Sequence, residues 1–188
     1  LDKKLSRDCL NLPQKTKLLL FGAAGGTSDF RKGFSLIQDS LKLFHNKANN
    51  IMLLIFGQSK PEIPMDFGIP VHYMGNLQDE ISLQFVYSSS DVMLIPSRQD
   101  NLPNTAVEAH ACGVPVVAFD IGGLPDIVKH QKTGYLARAF DIADFAKGIN
   151  WTLENNKKLK LGENARKHSL QKFSDSKIVE KYIDVYNK

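Results

Sequence analysis

The most informative part of this 188-residue sequence is one polar segment, residues 96–117. It passes through a loop and enters a helical pattern with Pro103 near the first helical position. The first amides of a helix have no partner inside it, and the helix dipole attracts anions to that end. A phosphate group is therefore predicted to bind at the helix start. The residues concerned are Asn101, Leu102, Pro103, Asn104 and Thr105.

Two carboxylates accompany this helix start. Asp100 stands just before the helix, and Glu108 lies one turn inside it, four positions after Asn104 and so on the same face. A carboxylate does not hold phosphate, but it can accept two hydrogen bonds from a diol such as ribose. The free amides at the helix start and the carboxylate of Glu108 together predict a site for a nucleotide diphosphate. The amides would bind the phosphates, and Glu108 would bind the sugar.

Each of these acidic residues also has a purely structural interpretation. Asp100 alone could be a turn residue or a helix cap. Glu108 could be a surface residue, although its apolar neighbours predict a mostly buried helix in which a carboxylate needs a partner. His110, on the same helix, is predicted to be a structural histidine and not a catalyst.

The elements that must position this segment alternate between short apolar runs and helical patterns. Strands are predicted over residues 17–21, 51–56, 71–74, 91–95, 114–119 and 134–137, and helices over 34–44, 79–89 and 104–112. Such alternation predicts an α/β fold, a doubly wound parallel sheet of about six strands. In such sheets ligands bind beyond the carboxyl ends of the strands. The polar residues gather at those ends, in residues 22–32, 57–60, 75–77, 96–104 and 120–124.

The domain organisation expected from this pattern is a single domain. Residues 1–15 are predicted to be a lead-in, residues 16–140 the sheet core, and residues 141–188 a set of C-terminal helices. An apolar stripe of Ile178, Tyr182 and Val185 is predicted either to pack on the sheet or to bind another domain. Because the sequence begins at Leu1 and not at Met, we expect it to be an excised domain.

Composition limits the classes of function. The net charge is +4, but the basic residues are scattered and no nucleic-acid-binding motif accompanies them, so no nucleic acid is expected as a partner. Cys9 and Cys112 are far apart, which argues against a disulfide scaffold or a zinc site and favours a reducing compartment. The apolar runs are shorter than the ~18 residues that a membrane-spanning helix needs.

Several motifs along the chain match one family pattern when they are taken together. They are Tyr73-Met74-Gly75, Ser90-Asp91-Val92, Pro96-Ser97, Asp100, Glu108-Ala109, Gly113, Pro115-Val116-Val117, Gly122-Gly123-x-Pro125-Asp126 and His130-x-x-x-Gly134. This set resembles the donor-site signature of the retaining glycosyltransferase family 4, which has the GT-B architecture. The resemblance implies that the chain is the Rossmann-like, donor-binding C-terminal half, and that an N-terminal acceptor domain is absent from it.

The resemblance also implies a substrate and a set of roles. The donor would be a nucleotide diphosphate sugar, UDP- or GDP-linked, from which a hexose-type sugar passes to a glycan or lipid-linked acceptor with retention. Lys32, in Lys32-Gly33, would contact the diphosphate, and Asp100 would contact the transferred sugar or its phosphate, so these two are the predicted catalytic residues. Backbone around Gly57, Met74 and Gly75 would contact the base.

The sequence departs from the family pattern in two places. The family usually has Gly-Arg after the first strand, whereas here Gly22 is followed by alanines. The amides of Gly25 and Gly26 are predicted to contact phosphate instead, and Arg31 is the alternative cation. Asp100 stands where the family usually has Glu.

The chemistry expected from these residues needs no metal or cofactor other than the donor. Metal-dependent glycosyltransferases commonly use an Asp-x-Asp motif, which this sequence lacks. Lys32 and the amides after Asp100 would instead stabilise the charge on the leaving diphosphate. By resemblance the enzyme is expected in the cytoplasm, with peripheral association at the inner face of the membrane as an option for the full-length protein.

Two motifs of other nucleotide-binding classes are missing from the sequence. A dinucleotide-binding oxidoreductase would need G-x-G-x-x-G, which Gly22, Gly25 and Gly26 do not form, and a P-loop is absent. A degenerate or regulatory α/β module without catalysis remains open. So does a GT-B epimerase or phosphorylase, which product analysis would distinguish.

Overall fold

The chain is built on one parallel β-sheet. The computed structural model describes residues 1–22, 29–44 and 50–187. Neighbouring strands are all parallel, in the order β3-β2-β1-β4-β5-β6. The strands are β1 (Lys17–Gly22), β2 (Ile51–Phe56), β3 (Val71–Gly75), β4 (Val92–Ile95), β5 (Val116–Phe119) and β6 (Gly134–Ala137).

Helices cover both faces of this sheet. They are α1 (Lys3–Cys9), α2 (Phe34–Lys42), α3 (Glu80–Ser89), α4 (Asn104–Ala111), α5 (Leu124–Ile127), α6 (Ile142–Leu159), α7 (Leu161–Phe173) and α8 (Asp175–Tyr186), with a short 3₁₀ helix (Phe30–Lys32) before α2. Two buried apolar clusters result, one under α2 and α6 and the other under α3 and α4. The predicted doubly wound, Rossmann-like α/β fold is confirmed.

The sequence of β1 shows why the sheet is covered twice. Leu18, Leu19 and Leu20 are consecutive and fully buried. Successive side chains of a strand point to opposite faces, so Leu19 joins the cluster under α2 while Leu18 and Leu20 join the one under α3 and α4. A continuous apolar run is therefore the pattern expected of a strand buried on both sides.

One strand starts later than predicted. The fifth strand was expected from Val114, but β5 begins at Val116. The Val114 amide instead donates to the Ala109 carbonyl oxygen at 2.9 Å, and Gly113 adopts a left-handed conformation with φ 76°. These two residues end α4 in the usual way for a helix followed by glycine, so they are not available to the sheet.

The first fifteen residues contain a helix where only a lead-in was expected. Asp2 caps α1 by accepting a hydrogen bond from the Leu5 amide. Arg7 is 3% exposed, and its guanidinium donates to the Ser89 carbonyl oxygen and to Asp91, each at 2.8 Å. A seven-residue helix is not stable on its own, so the Arg7 contacts and packing against α3 hold it in place.

Asp91 is the centre of this attachment. Its carboxylate accepts hydrogen bonds from Arg7, from the Leu18 amide at 2.8 Å and from the Lys3 ammonium at 3.0 Å. Burial raises the pKa of the Asp91 carboxyl, but Lys3, the Leu18 amide and Arg7 outweigh that effect and hold the pKa below its usual value. Asp91 is therefore a buried, ionised anchor between α1 and the starts of β1 and β4.

The C-terminal apolar stripe does not pack on the sheet. Tyr182 is 60% exposed and Val185 is 67% exposed, while α8 as a whole packs against α7. The stripe was predicted either to pack on the sheet or to bind another domain. The exposure of Tyr182 and Val185 excludes packing on the sheet of this chain. Among the described residues, no helix is long and apolar enough to cross a membrane.

Candidate functional site

Glycine contacts bring separate loops together at the carboxyl ends of the strands. Gly33 has φ 66°, and a Cβ added there would collide with the Pro96 carbonyl oxygen. The Arg98 amide donates to the Arg31 carbonyl oxygen at 2.7 Å. The 3₁₀ helix before α2 is thus held directly against the loop between β4 and α4.

This packing places Lys32 beside Asp100. The Lys32 Nζ atom lies 2.8 Å from Asp100 Oδ2, although the two residues are 68 positions apart in sequence. The Ser97 hydroxyl donates to the same carboxylate oxygen at 3.2 Å. The Lys32 side chain remains 29% exposed, and an ammonium has three donors, so donors remain for an anion. The structure brings together the two residues predicted to be catalytic.

The loop after β5 fixes the other side of the same segment. A Cβ at Gly122 would collide with the Asp100 carbonyl oxygen, and one at Gly123 would collide with the Asn101 carbonyl oxygen. The backbone before α4 is therefore clamped by close approach to these glycines. In the sequence the two glycines belong to the motif Gly122-Gly123-x-Pro125-Asp126. Their spacing does not predict which residues they contact.

The start of α4 is open, as an anion site requires. Pro103 is the N-cap residue, and no side chain in the described part of the chain caps the helix. Asn101, Leu102 and Asn104 are exposed. The amides of the first turn therefore point to a surface where a ligand has access, although the predicted contacts of Asn101–Thr105 with phosphate stay predictions.

Glu108 lies in a groove between α3 and α4. The residues lining this groove are Glu80, Ile81, Leu83, Gln84, Tyr87, Glu108, Ala111 and Cys112. Contrary to the expectation of a mostly buried helix, Glu108 is exposed, because α4 presents Ala106 and Ala109 to the sheet instead. Its carboxylate Oε2 accepts a hydrogen bond of 2.7 Å from the Tyr87 hydroxyl.

The ends of β2 and β3 are joined through backbone. The Gly57 amide donates to the Gly75 carbonyl oxygen at 2.9 Å, and both glycines are left-handed, with φ 92° and 73°. Apart from the two chain neighbours, no atom of the described residues lies within 4 Å of a Cβ added at Gly75, so the left-handed conformation and not a close contact favours glycine there. Met74 packs against the cluster under α3. Their predicted contact with a base stays a prediction.

The remaining predicted residues are placed differently. The Arg31 side chain is 70% exposed and binds Asp29, with Nη2 2.8 Å from Oδ2, so its charge is already paired. These hydrogen bonds with Arg31 lower the pKa of the Asp29 carboxyl. Gly25 and Gly26 lie outside the described residues.

Sequence reasoning missed two side chains at this edge. The Arg98 guanidinium lies 4.5 Å from the centroid of the exposed Phe30 ring, and Tyr87 binds Glu108. No pattern in the sequence pointed to either contact.

His110 was predicted to be structural, and it is fully buried on α4. Burial, with a smaller contribution from His168, lowers its pKa to about 3, so it is uncharged near neutral pH.

Comparison with known proteins identifies similar chains. The family model described as "Glycosyl transferases group 1" matches residues 2–168. The chain is 34% identical over 171 residues to N-acetyl-alpha-D-glucosaminyl L-malate synthase of Bacillus anthracis, covering 85% of this chain and 43% of that protein.

Solved structures show the same fold. Sucrose-phosphate synthase from Thermosynechococcus elongatus superposes with a TM-score of 0.80 and 26% identity, over 100% of this chain and 50% of that one. Anabaena Alr3699/HepE in complex with UDP and glucose superposes with a TM-score of 0.77 and 19% identity. The superposition covers 98% of this chain and 51% of that one. The chain therefore spans about half the length of each of these three proteins.

Proposed function

The chain belongs to the group 1 glycosyltransferases and has the fold of their GT-B C-terminal domain, and from this premise we propose that it binds a nucleotide diphosphate sugar. Joined to an acceptor-binding domain, it transfers a hexose-type sugar to a glycan or lipid-linked acceptor with retention of configuration. The single observation that carries the proposal is the Lys32–Asp100 pair beside the uncapped start of α4.

The chemistry at this edge suits a leaving diphosphate. Cleavage of the sugar–phosphate bond leaves negative charge on the diphosphate, which fixed donors stabilise most strongly where water is partly excluded. Lys32 supplies a cation and the first turn of α4 supplies amides. Asp100 holds the ammonium in place before the donor arrives and lies next to the position of the transferred sugar. In this proposal the donor site needs no metal ion.

The nucleoside is proposed to occupy the groove between α3 and α4 and the adjoining ends of β2 and β3. Glu108 accepts hydrogen bonds from the ribose, and the backbone at Gly57 and Gly75 meets the base. UDP is the first nucleotide to test, because UDP is bound to the HepE structure that shares this fold at 19% identity.

The acceptor is proposed to bind a separate, N-terminal domain. Support comes from the chain's coverage, which is 43% of the Bacillus anthracis relative. The exposed apolar stripe of α8, with Tyr182 and Val185, offers a surface against which such a domain can pack. We further propose that the whole enzyme works in the cytoplasm, in peripheral association with the inner face of the membrane.

A degenerate, non-catalytic nucleotide-binding module is the second candidate. Two observations favour it, namely Asp100 in place of the usual Glu and the lack of Gly-Arg after β1. It predicts nucleotide binding without transfer even when the acceptor domain is supplied.

Calorimetry with UDP, GDP and their glucose and mannose conjugates tests the donor site. We expect the chain to bind one nucleotide series, equally well with magnesium and with a chelator, because Lys32 and backbone amides neutralise the diphosphate. No transfer or hydrolysis is expected from the chain alone.

Uridine and guanosine are the matched controls, since they lack the diphosphate and should bind much more weakly than UDP and GDP. If none of the nucleotides binds at millimolar concentration, the proposed function is wrong. Binding that appears only with magnesium would refute the metal-independent site.

A further inference from the structure

Tyr87 combines a buried ring with a hydroxyl that reaches an exposed carboxylate. The residue is 2% exposed, and its hydroxyl donates to Glu108 Oε2 at 2.7 Å. Glu108 itself is exposed on α4. The hydrogen bond therefore joins a fixed side chain to one that would otherwise be free to change rotamer.

The Tyr87 ring packs against Phe56, which in turn packs against Gly22. It meets the Phe56 ring edge to face, with centroids 5.6 Å apart and an interplanar angle of 80°. Phe56 ends β2, and its ring occupies the place where a Cβ on Gly22 would lie. Contacts of this kind leave an aromatic ring little freedom, because protein interiors are packed as densely as organic crystals.

The hydroxyl stays a donor throughout the useful pH range. Burial raises the pKa of Tyr87, and the negative charge of Glu108 raises it further, so the phenol keeps its proton near neutral pH. Only one carboxylate oxygen of Glu108 is engaged by Tyr87, and a carboxylate has about four acceptor sites in all. Among residues 1–22, 29–44 and 50–187, no hydrogen bond or ion pair engages the other oxygen, Oε1, so it can meet a ligand in the groove.

We propose that Tyr87 is a positioning residue for ribose recognition: it holds Oε2 of Glu108 so that Oε1 meets the 2′- and 3′-hydroxyls of the nucleotide. This inference rests on the proposed function, in which Glu108 binds the ribose. A glutamate that is already fixed loses less conformational freedom when the ligand binds, and preorganisation of this kind strengthens affinity.

A purely structural hydrogen bond would behave differently. Its loss would lower stability and would weaken binding of every nucleotide to the same extent. A positioning bond affects only ligands that carry the ribose diol. Comparison of UDP with 2′,3′-dideoxy-UDP separates the two roles, because the analogue keeps the base and the diphosphate.

Tyr87→Phe removes the hydroxyl and keeps the ring. We expect calorimetry to show UDP binding weakened by about 3- to 10-fold, the range for loss of one hydrogen bond, and dideoxy-UDP binding unchanged. In the Glu108→Ala background, which lacks the acceptor of the Tyr87 hydroxyl, Tyr87→Phe should cause little further loss for UDP, because the two side chains act through the same contact.

Tyr135→Phe is the matched control. Its hydroxyl also donates to a carboxylate, Asp144 Oδ1 at 2.9 Å, but the ring belongs to the cluster on the opposite face of the sheet. We expect this variant to bind both nucleotides as the unmodified chain does.

Three results would overturn the inference. They are unchanged UDP binding in Tyr87→Phe, an equal loss for UDP and dideoxy-UDP, and a loss of the same size in Tyr135→Phe. Should Tyr87→Phe fail to fold, Tyr87→Met, whose flexible apolar side chain can fill the same space without a hydroxyl, must show the same loss of preference for UDP. If the unmodified chain binds no nucleotide, the proposed function itself fails; if it binds UDP and Tyr87→Phe changes nothing, only this inference fails.

Discussion

Replacing Arg7 by leucine is expected to lower the free energy of unfolding by about 3–5 kcal/mol, the cost of leaving one member of a buried ion pair without its partner. Asp91 would keep the Leu18 amide and Lys3, but its main buried counter-ion would be gone. The carbonyl oxygens of Ser89 and Thr16, which accept from the guanidinium, would also lose a donor. Urea unfolding followed by circular dichroism measures the effect.

Lys3→Leu is the control for this prediction. Lys3 binds the same carboxylate, but its side chain is 43% exposed, so the loss should stay below about 1 kcal/mol, as for other solvated ion pairs. Equal effects of the two substitutions would show that charge and not burial sets the stability of this anchor.

The pH dependence of stability provides a second test of the anchor. Because the pKa of Asp91 is lower in the folded state, its contribution is fully present above the unfolded value of about 3.9. The contribution is lost as pH falls through the folded value. The stability difference between the unmodified chain and Asp91→Asn should therefore be largest near neutral pH and shrink below about pH 4. A difference that grows on acidification would contradict this account.

Replacing Lys32 by alanine is expected to weaken the binding of a nucleotide diphosphate by about 10- to 100-fold, the range for loss of a hydrogen bond to a charged group. The Lys32 ammonium is held at the strand ends by Asp100, which stands four residues before the first residue of α4. Binding of the nucleoside alone should not change, since it carries no phosphate. Calorimetry with UDP and uridine, or with GDP and guanosine, measures both.

Lys42→Ala is the matched control for Lys32→Ala. Lys42 lies in α2, is 60% exposed and pairs with Asp39 one turn away, so nucleotide binding should be unaffected. The affinity of the unmodified chain should also fall with rising salt more steeply than that of Lys32→Ala, because one charge contact is missing from the variant. Unchanged UDP binding in Lys32→Ala would remove the main support for the proposed donor site.

The sequence did not predict which of two neighbouring basic side chains, Arg31 or Lys32, faces the site. Arg31 and Lys32 are adjacent, and both were candidates for phosphate, yet Arg31 pairs with Asp29 whereas Lys32 reaches Asp100. Which of two neighbouring cations faces the strand ends depends on the backbone turn at Gly33 and on the Pro96 carbonyl beneath it. Neither is visible in a local pattern of charge.

The fold itself followed from the sequence alone. Fully apolar runs such as residues 18–20 can be buried only between two layers of helices, and the alternation of strands and helices then leads to a parallel sheet with its loops at one edge. That edge collects the polar segments whatever the details of packing. Lys32 and Asp100 lie in two of these segments, and the resemblance to family 4 assigned them to one site.

Only the tertiary structure decided which side chains touch. The Arg7–Asp91 anchor and the Tyr87–Glu108 hydrogen bond join residues 84 and 21 positions apart. The distances between these groups depend on how α1 and α4 each pack against α3. A shift of a fraction of an ångström in that packing would lengthen the hydrogen bonds. Periodicity in the sequence specifies which face of a helix is buried, but a hydrogen bond also requires the distance and direction between two particular atoms, and packing alone sets those.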